Sequence, residues 1–248
     1  MDKSIVTLTA DVSIERAREA HLFHELSNVS TLGFKRSYEH ALTSIQDGAE
    51  VADDSQLGET KVSLRPGPKI FTGNPLDLYM NDDAVMGVLH DGEEIGFTRR
   101  GDLRVDGNGF LVNGSGYTIA ADNEDPIQVP LNQTISISDE GVVYALDPQQ
   151  EVAEQVEIGR IMLRDASNVE LTKKENGLFR AVGFPPGDFE PGPEPVSIST
   201  GIVEGSTVSA MEAMVEIMDH MRSFEMKIKL IKDFDELGES NSTLMRMA

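Results

Sequence analysis

Near the end of the chain, Met214, Ile217, Met221, Phe224, Ile228 and Ile231 recur at spacings of three and four. That repeat is the seam of a coiled-coil-like helix. A second stripe, Val208, Met211, Val215 and Met218, widens the apolar face over its first half. Acidic Glu204, Glu212, Glu216 and Asp219 precede basic Arg222, Lys227, Lys229 and Lys232, a polarity that suits the helix dipole. The pattern predicts a helix of about 29 residues, roughly 43 Å long. One seam cannot offset the entropy of ordering so long a helix, so it needs neighbours on more than one side.

The other end of the chain carries a weaker copy of the same signal. Ile5, Leu8, Val12, Leu22 and Leu26 share a heptad register free of Gly and Pro, although Glu15 and Glu19 fall in it. Asn28 to Phe34, with its Gly and small polar residues, is how a helix end is punctuated. Residues 46–59 are acidic, with little periodicity. Between the ends the period changes to that of strands. Thr60–Leu64, Val85–Leu89, Leu103–Val105, Phe110–Val112, Ile135–Ile137, Val142–Ala145 and Val156–Leu163 are short β-branched runs. Asp91-Gly92, Asp106-Gly107, Asn108-Gly109, Asn113-Gly114 and Glu140-Gly141 supply turns. The Pro-rich stretch from Phe184 to Pro195 suits neither a helix nor a sheet interior.

The predicted class is α+β, with terminal helices paired as a coiled-coil-like inner domain and a central, mainly antiparallel β domain. The expected boundaries are 1–34 with 203–248 for the helical domain, 35–75 for a linker or extended segment, 76–183 for the β domain and 184–202 for a Pro-rich connector.

Composition narrows function by exclusion. With 43 acidic residues against 21 basic ones the formal net charge is −22, which argues against nucleic acid or anionic lipid as main partners. The chain has no Cys, hence no disulfide framework and no thiolate nucleophile. Its first residues lack the basic start and apolar run of a cleaved signal peptide, and no window is apolar enough to span a membrane. His21 and His24 lie about one helical turn apart without the order of a zinc motif. Asp102 to Phe110 lacks the alternating ligands and closing Glu of a calcium loop and reads as two tight turns. Asp82-Asp83 reads as a solvated turn. No phosphate loop or nucleophile elbow occurs. No catalytic, metal-binding or cofactor-binding residue is therefore nominated, and no cofactor is expected.

Three segments carry a resemblance. Leu26 to Lys35, LSNVSTLGFK, resembles the N-terminal signature of flagellar rod and hook proteins, carried here by Asn28, Val29, Thr31, Gly33 and Phe34. Phe97 to Leu111, FTRRGDLRVDGNGFL, resembles the β-domain motif of that family. Glu204, Gly205 and Ser206, with Arg222 and Glu225 further on, resemble its C-terminal motif. The order and reach of the three identify the chain as a member of the rod and hook family, with a proximal rod role, and a distal rod or hook-type role as the alternative. A reading from another class is a ligand-binding or enzymatic β domain with oligomerising helices.

The resemblance implies a non-enzymatic subunit of the basal-body rod that passes torque from motor to hook. It also implies export by the flagellar apparatus without a cleaved signal, and assembly in the periplasmic portion of the flagellum. Implied partners are copies of the chain, other rod proteins, the export apparatus and the surrounding ring. Ile5, Leu8, Val12, Leu22 and Leu26, with the six seam residues Met214 to Ile231, are the expected assembly interface.

Overall fold

The computed structural model describes residues 2–38, 60–90, 94–130, 133–146, 155–174, 176–190, 192–193 and 195–247, with backbone alone for 2–14, 38, 60 and 234–247. The acidic stretch 46–59 and the Asp91-Gly92 turn fall outside these residues. The chain divides into two compact units, Met1–Val29 with Val208–Ala248, and Ser30–Thr207.

The first unit holds two helices, α1 (Asp2–Ser27) and α2 (Ala210–Met247). At 38 residues α2 outruns the seam that predicts it. Gly238 lies inside it, a cost of about 1 kcal/mol that does not stop a helix with no Pro to end it. Its start is capped: the Ser209 hydroxyl accepts from the Glu212 amide (3.4 Å), and the Ser209 carbonyl accepts from the Ala213 amide (2.9 Å). Glu15 of α1 pairs with His220 Nδ1 (3.2 Å) and with Lys227 of α2. Those contacts hold the Glu15 carboxyl below the usual carboxylate range, the Lys227 hydrogen bond being the main cause. Among the described residues, no helix is long and apolar enough to cross a membrane.

The second unit is built of short strands: β1 (Ser37–Tyr38), β2 (Thr60–Val62), β3 (Lys69–Phe71), β4 (Leu78–Met80), β5 (Ala84–His90), β6 (Glu94–Thr98), β7 (Leu103–Val105), β8 (Leu111–Asn113) and β9 (Thr118–Ile119). It continues with β10 (Thr134–Ile137), β11 (Val142–Leu146), β12 (Gln155–Arg160), β13 (Leu163–Asp165), β14 (Leu171–Lys173), β15 (Phe179–Ala181), β16 (Ile198–Thr200) and β17 (Ile202–Glu204). Among the described residues the largest sheet runs β1-β2-β14-β15-β6-β5-β9-β8-β7, with β13 also on β5. Beside it lie β10-β11-β12 and the two-stranded pairs β16-β4 and β17-β3. Every named pair is antiparallel.

Two apolar clusters fill this unit, and β5 explains both. Its side chains alternate, so Met86 and Val88 join one cluster while Val85 and Leu89 join the other. A strand buried on both faces reads as an unbroken apolar run. The Pro-rich stretch does more than connect, because Phe189 is buried and meets Phe97 edge-on at 4.7 Å. The predicted run Val156–Leu163 is two strands, β12 and β13, broken at Ile161 and Met162, which are buried in opposite clusters. Residues 35–75, expected as a linker or extended segment, contribute β1, β2 and β3.

Candidate functional site

Both ends of the second unit converge on one carboxylate. The chain enters it along Gly33, Phe34 and Lys35 and leaves along Glu204 to Thr207. These two passages are stitched together: the Gly33 amide donates to the Glu204 carbonyl (2.7 Å), the Thr207 amide to the Phe34 carbonyl (3.0 Å), and the Arg36 amide to the Thr207 hydroxyl (2.8 Å). Gly33 takes φ +67°, and a Cβ there would stand 2.5 Å from the Arg99 carbonyl and the Arg100 amide. Only glycine fits both the left-handed backbone and the close approach.

The Glu204 side chain is fully buried and accepts from three donors. Lys35 Nζ reaches Oε1 at 2.7 Å, the Gly67 amide reaches the same oxygen at 2.6 Å, and Arg99 Nε reaches Oε2 at 2.7 Å. Lys35 and Arg99 are themselves sealed from solvent. Three further Arg99 hydrogen bonds go to the carbonyls of Met80 (2.7 Å), Asp82 (2.6 Å) and Ala84 (3.0 Å). The guanidinium thereby holds the turn between β4 and β5, where Asp82 adopts φ +46°. Asp82-Asp83 is the expected turn, with Asp82 exposed and Asp83 half-buried, and its Asp82 carbonyl in addition accepts from the buried Arg99. Lys35 also donates to the Arg65 carbonyl (2.6 Å).

Neighbouring motif residues support the cluster. Arg100 turns outward to a bidentate pair with Asp102 (2.7 and 2.9 Å), and the Gly101 carbonyl accepts from the Leu78 amide (2.8 Å). Phe34 is buried, with Lys173 Nζ 3.4 Å from its ring centroid. Gly205 donates to the Pro68 carbonyl at 2.8 Å. Asn28 Nδ2 closes the end of α1 on the His24 carbonyl (2.8 Å), and the Val29 amide bonds the Leu26 carbonyl (3.3 Å). The Thr31 carbonyl accepts from the Phe34 amide (3.3 Å), while Ser206 is half-buried. The structure therefore gathers Gly33, Phe34, Glu204 and Gly205 at one place. Arg222 and Glu225 lie on α2, exposed, with Arg222 4.0 Å from Asp219. Sequence reasoning did not single out Lys35 and Arg99 for a role, although both lie within the quoted motifs.

Two cations share one anion here, and that sets the pH behaviour. Burial, and then the charge of Arg99, push the Lys35 ammonium down to about 8. Between that value and the ordinary lysine value of ~10.4, the unfolded chain binds a proton that the folded chain has released. Stability from this group therefore rises with pH across that window, by at most on the order of 3 kcal/mol. Urea unfolding at pH 7.5 and pH 9.5 should show the wild type gaining on Lys35→Met, and a flat difference would contradict the assignment.

The expected interface residues fall into two groups. Leu22 and Ile217 are buried, and Leu26, Phe224, Ile228 and Ile231 are half-buried. Met214 and Met221 are about half exposed. The less exposed face of α2 runs through Ala213, Ile217, His220, Phe224, Ile228 and Ile231. It includes a small residue and a histidine that apolar counting passes over. Turned away from it, Met211, Met214, Val215, Met218 and Met221 form a second, exposed apolar face. The side chains of Ile5, Leu8 and Val12 lie outside the described residues.

Comparison with known proteins places this arrangement. Residues 83–145 match the family described as "Flagellar hook protein FlgE/F/G D1 domain", and residues 199–244 match "Flagellar basal body rod FlgEFG protein C-terminal". The chain is 31% identical to the flagellar basal-body rod protein FlgF of Salmonella typhimurium over 252 residues, covering 98% of this chain and 99% of that one. It is 29% identical to FlgF of Escherichia coli over 255 residues (98% and 99%). To the flagellar basal-body rod protein FlgG of Bacillus subtilis it is 24% identical over 248 residues (90% and 91%). With Glu204, Lys35 and Arg99 drawn from the same segments that carry the resemblance, the chain belongs to the FlgF family of flagellar basal-body rod proteins.

Proposed function

We propose that this chain is a structural, non-enzymatic subunit of the proximal rod of the bacterial flagellar basal body, assembling with copies of itself and other rod proteins to carry torque from motor to hook. The single observation that carries this reading is the end-to-end match to FlgF rod proteins. The subunit leaves the cell through the flagellar export apparatus without a cleaved signal and works in the periplasmic portion of the basal body, inside the surrounding ring.

The division of labour follows the proposed domains. The terminal segments, 1–34 and 203–248, pair in a coiled-coil-like manner and build the inner tube. The β domain, 76–183, is the body of the subunit, and 35–75 with the Pro-rich 184–202 add strands β1 to β3, β16 and the buried Phe189 to it. Load on the terminal helices enters the β-rich unit through the two covalent passages, Gly33–Arg36 and Glu204–Thr207. Those passages are bonded to each other and anchored on one buried ionic centre. Rigid coupling is what a shaft subunit needs. The exposed Met face of α2 is left for neighbouring subunits.

Deleting the gene should abolish motility and leave hooks unassembled, with both restored by the full chain; normal swimming would overturn the reading. A finer test is Phe224→Ala. Half-buried in the single chain, this ring should cost about 1–3 kcal/mol when removed, less than the ~3–5 of a fully buried Phe. Soft-agar swarming should shrink while the β-sheet circular dichroism of the purified chain stays unchanged.

A further inference from the structure

Among the described residues, one strand ribbon in the β-rich unit leaves its outer surface uncovered. All of β3 is exposed: Ile70 at 44% and Phe71 at 79% make it an apolar edge, and among the described residues β3 pairs with β17 alone. An exposed aromatic on a free strand edge is the form of an interface anchor. Its charge is the opposite of the protein's. Between Glu59 and Asp77 there is no acidic residue, while Lys61, Arg65 and Lys69 supply three basic ones in a chain of net charge −22. Lys61 is paired with Glu170 and the Lys69 ammonium lies 4.3 Å from the Tyr79 ring centroid, while Arg65 and Lys69 both remain exposed.

A complementary surface lies on the same chain. The first half of α2 exposes Met211, Met214, Val215 and Met218, with Glu212 and Asp219 alongside. No Lys or Arg occurs between Arg180 and Arg222. Methionine side chains mould to an aromatic and make favourable sulfur–ring contacts, and the flanking carboxylates match the two basic residues of the ribbon. Neither surface suits a second copy of itself, because ribbon on ribbon brings cations together and helix on helix brings carboxylates together.

We propose that the Lys69–Phe71 ribbon of one subunit docks on the Met211–Met218 face of α2 of a second copy of this chain. The inference rests on the rod-subunit reading and deepens it by naming the contact between copies. Such a contact is heterologous, head to tail. It therefore propagates as a ring or helix, where an isologous contact would stop at a dimer.

The test replaces Phe71 by the photo-crosslinker p-benzoylphenylalanine in the full chain, expressed as the sole copy in motile cells, followed by irradiation and isolation of basal bodies. The expected product is a covalent dimer of this chain whose linked peptide lies within residues 210–221. An adduct with a different protein, with another element of this chain, or within one chain overturns the proposal, as does the absence of any dimer.

A second measurement places the crosslinker at Thr72 and adds Arg65→Glu with Lys69→Glu, which should lower dimer yield at least tenfold. Glu212→Lys with Asp219→Lys on a co-expressed, epitope-tagged copy should then restore it, and failure of that restoration overturns the pairing. If the unmodified chain is missing from purified basal bodies, the rod reading itself fails. If it is present and the crosslinks map elsewhere, the docking contact alone fails.

Discussion

Glu204→Gln is expected to lower the unfolding free energy of the β-rich unit by about 3–5 kcal/mol, because it leaves two buried cations facing a neutral amide. Lys35 can escape part of the penalty by releasing its proton. Arg99 cannot, since a guanidinium stays protonated in proteins, so its uncompensated charge sets the floor of the loss. The contrasting variant is Lys35→Met. It reduces the cluster to one cation and one anion of good geometry, removes the excess positive charge, and should change stability by less than about 2 kcal/mol in either direction. Urea titrations of both variants, followed by β-sheet circular dichroism, check the pair of expectations. Equal losses would mean that Glu204 acts through packing and not through charge.

Gly33→Ala should be nearly as damaging for a different reason. The new methyl group would sit 2.5 Å from backbone atoms of Arg99 and Arg100, which cannot swing aside as a side chain can, and φ is +67°. Backbone strain and overpacking together should cost on the order of 2–5 kcal/mol. For a unit of this size that lowers the melting temperature by roughly 5–15 °C. Gly73→Ala separates the two causes. Its φ is +73°, with nothing within 4 Å of the added Cβ, so it carries the backbone cost alone. Differential scanning calorimetry should find a far smaller shift for Gly73→Ala, and equal shifts would remove the clash from the explanation.

The parts of this fold that could be read from the sequence are those with a local signal. The apolar run at Val85–Leu89 became the doubly buried β5, and the Asp106-to-Gly109 turn joins β7 to β8 with Gly109 at φ +85°. The terminal helices follow from their period. Strands β3, β4, β16 and β17 were not legible, because each is three residues long and finds its partner more than a hundred residues away. Nothing near Leu78 announces that Ile198–Thr200 will lie beside it. The seam of α2 was read with Met214 and Met221 in it, since counting apolar residues cannot see that Ala213 and His220 occupy the less exposed face.

The junction was half visible. The segments holding Gly33, Phe34, Glu204 and Gly205 were marked by resemblance, but charged residues such as Lys35 and Arg99 read as surface until their common carboxylate is seen. Phe189 was hidden for the opposite reason, an apolar anchor inside a stretch whose prolines signal exposure. In each case the missing information was a tertiary partner, and propensity carries none of it.

The long reach of the Glu204 contacts also fixes a sequence of events. Lys35 and Arg99 lie 169 and 105 residues before their shared carboxylate, and β16 and β17 close the chain onto β4 and β3 across comparable distances. When the polypeptide emerges from its amino end, most of the large sheet can form early, yet the ionic centre stays open until residue 204 arrives. High contact order makes that closure slow, and it falls due just as α2 begins to appear. Completion of the β-rich unit is thus timed by the last fifth of the chain, so the methionine face is made only once that unit can be finished.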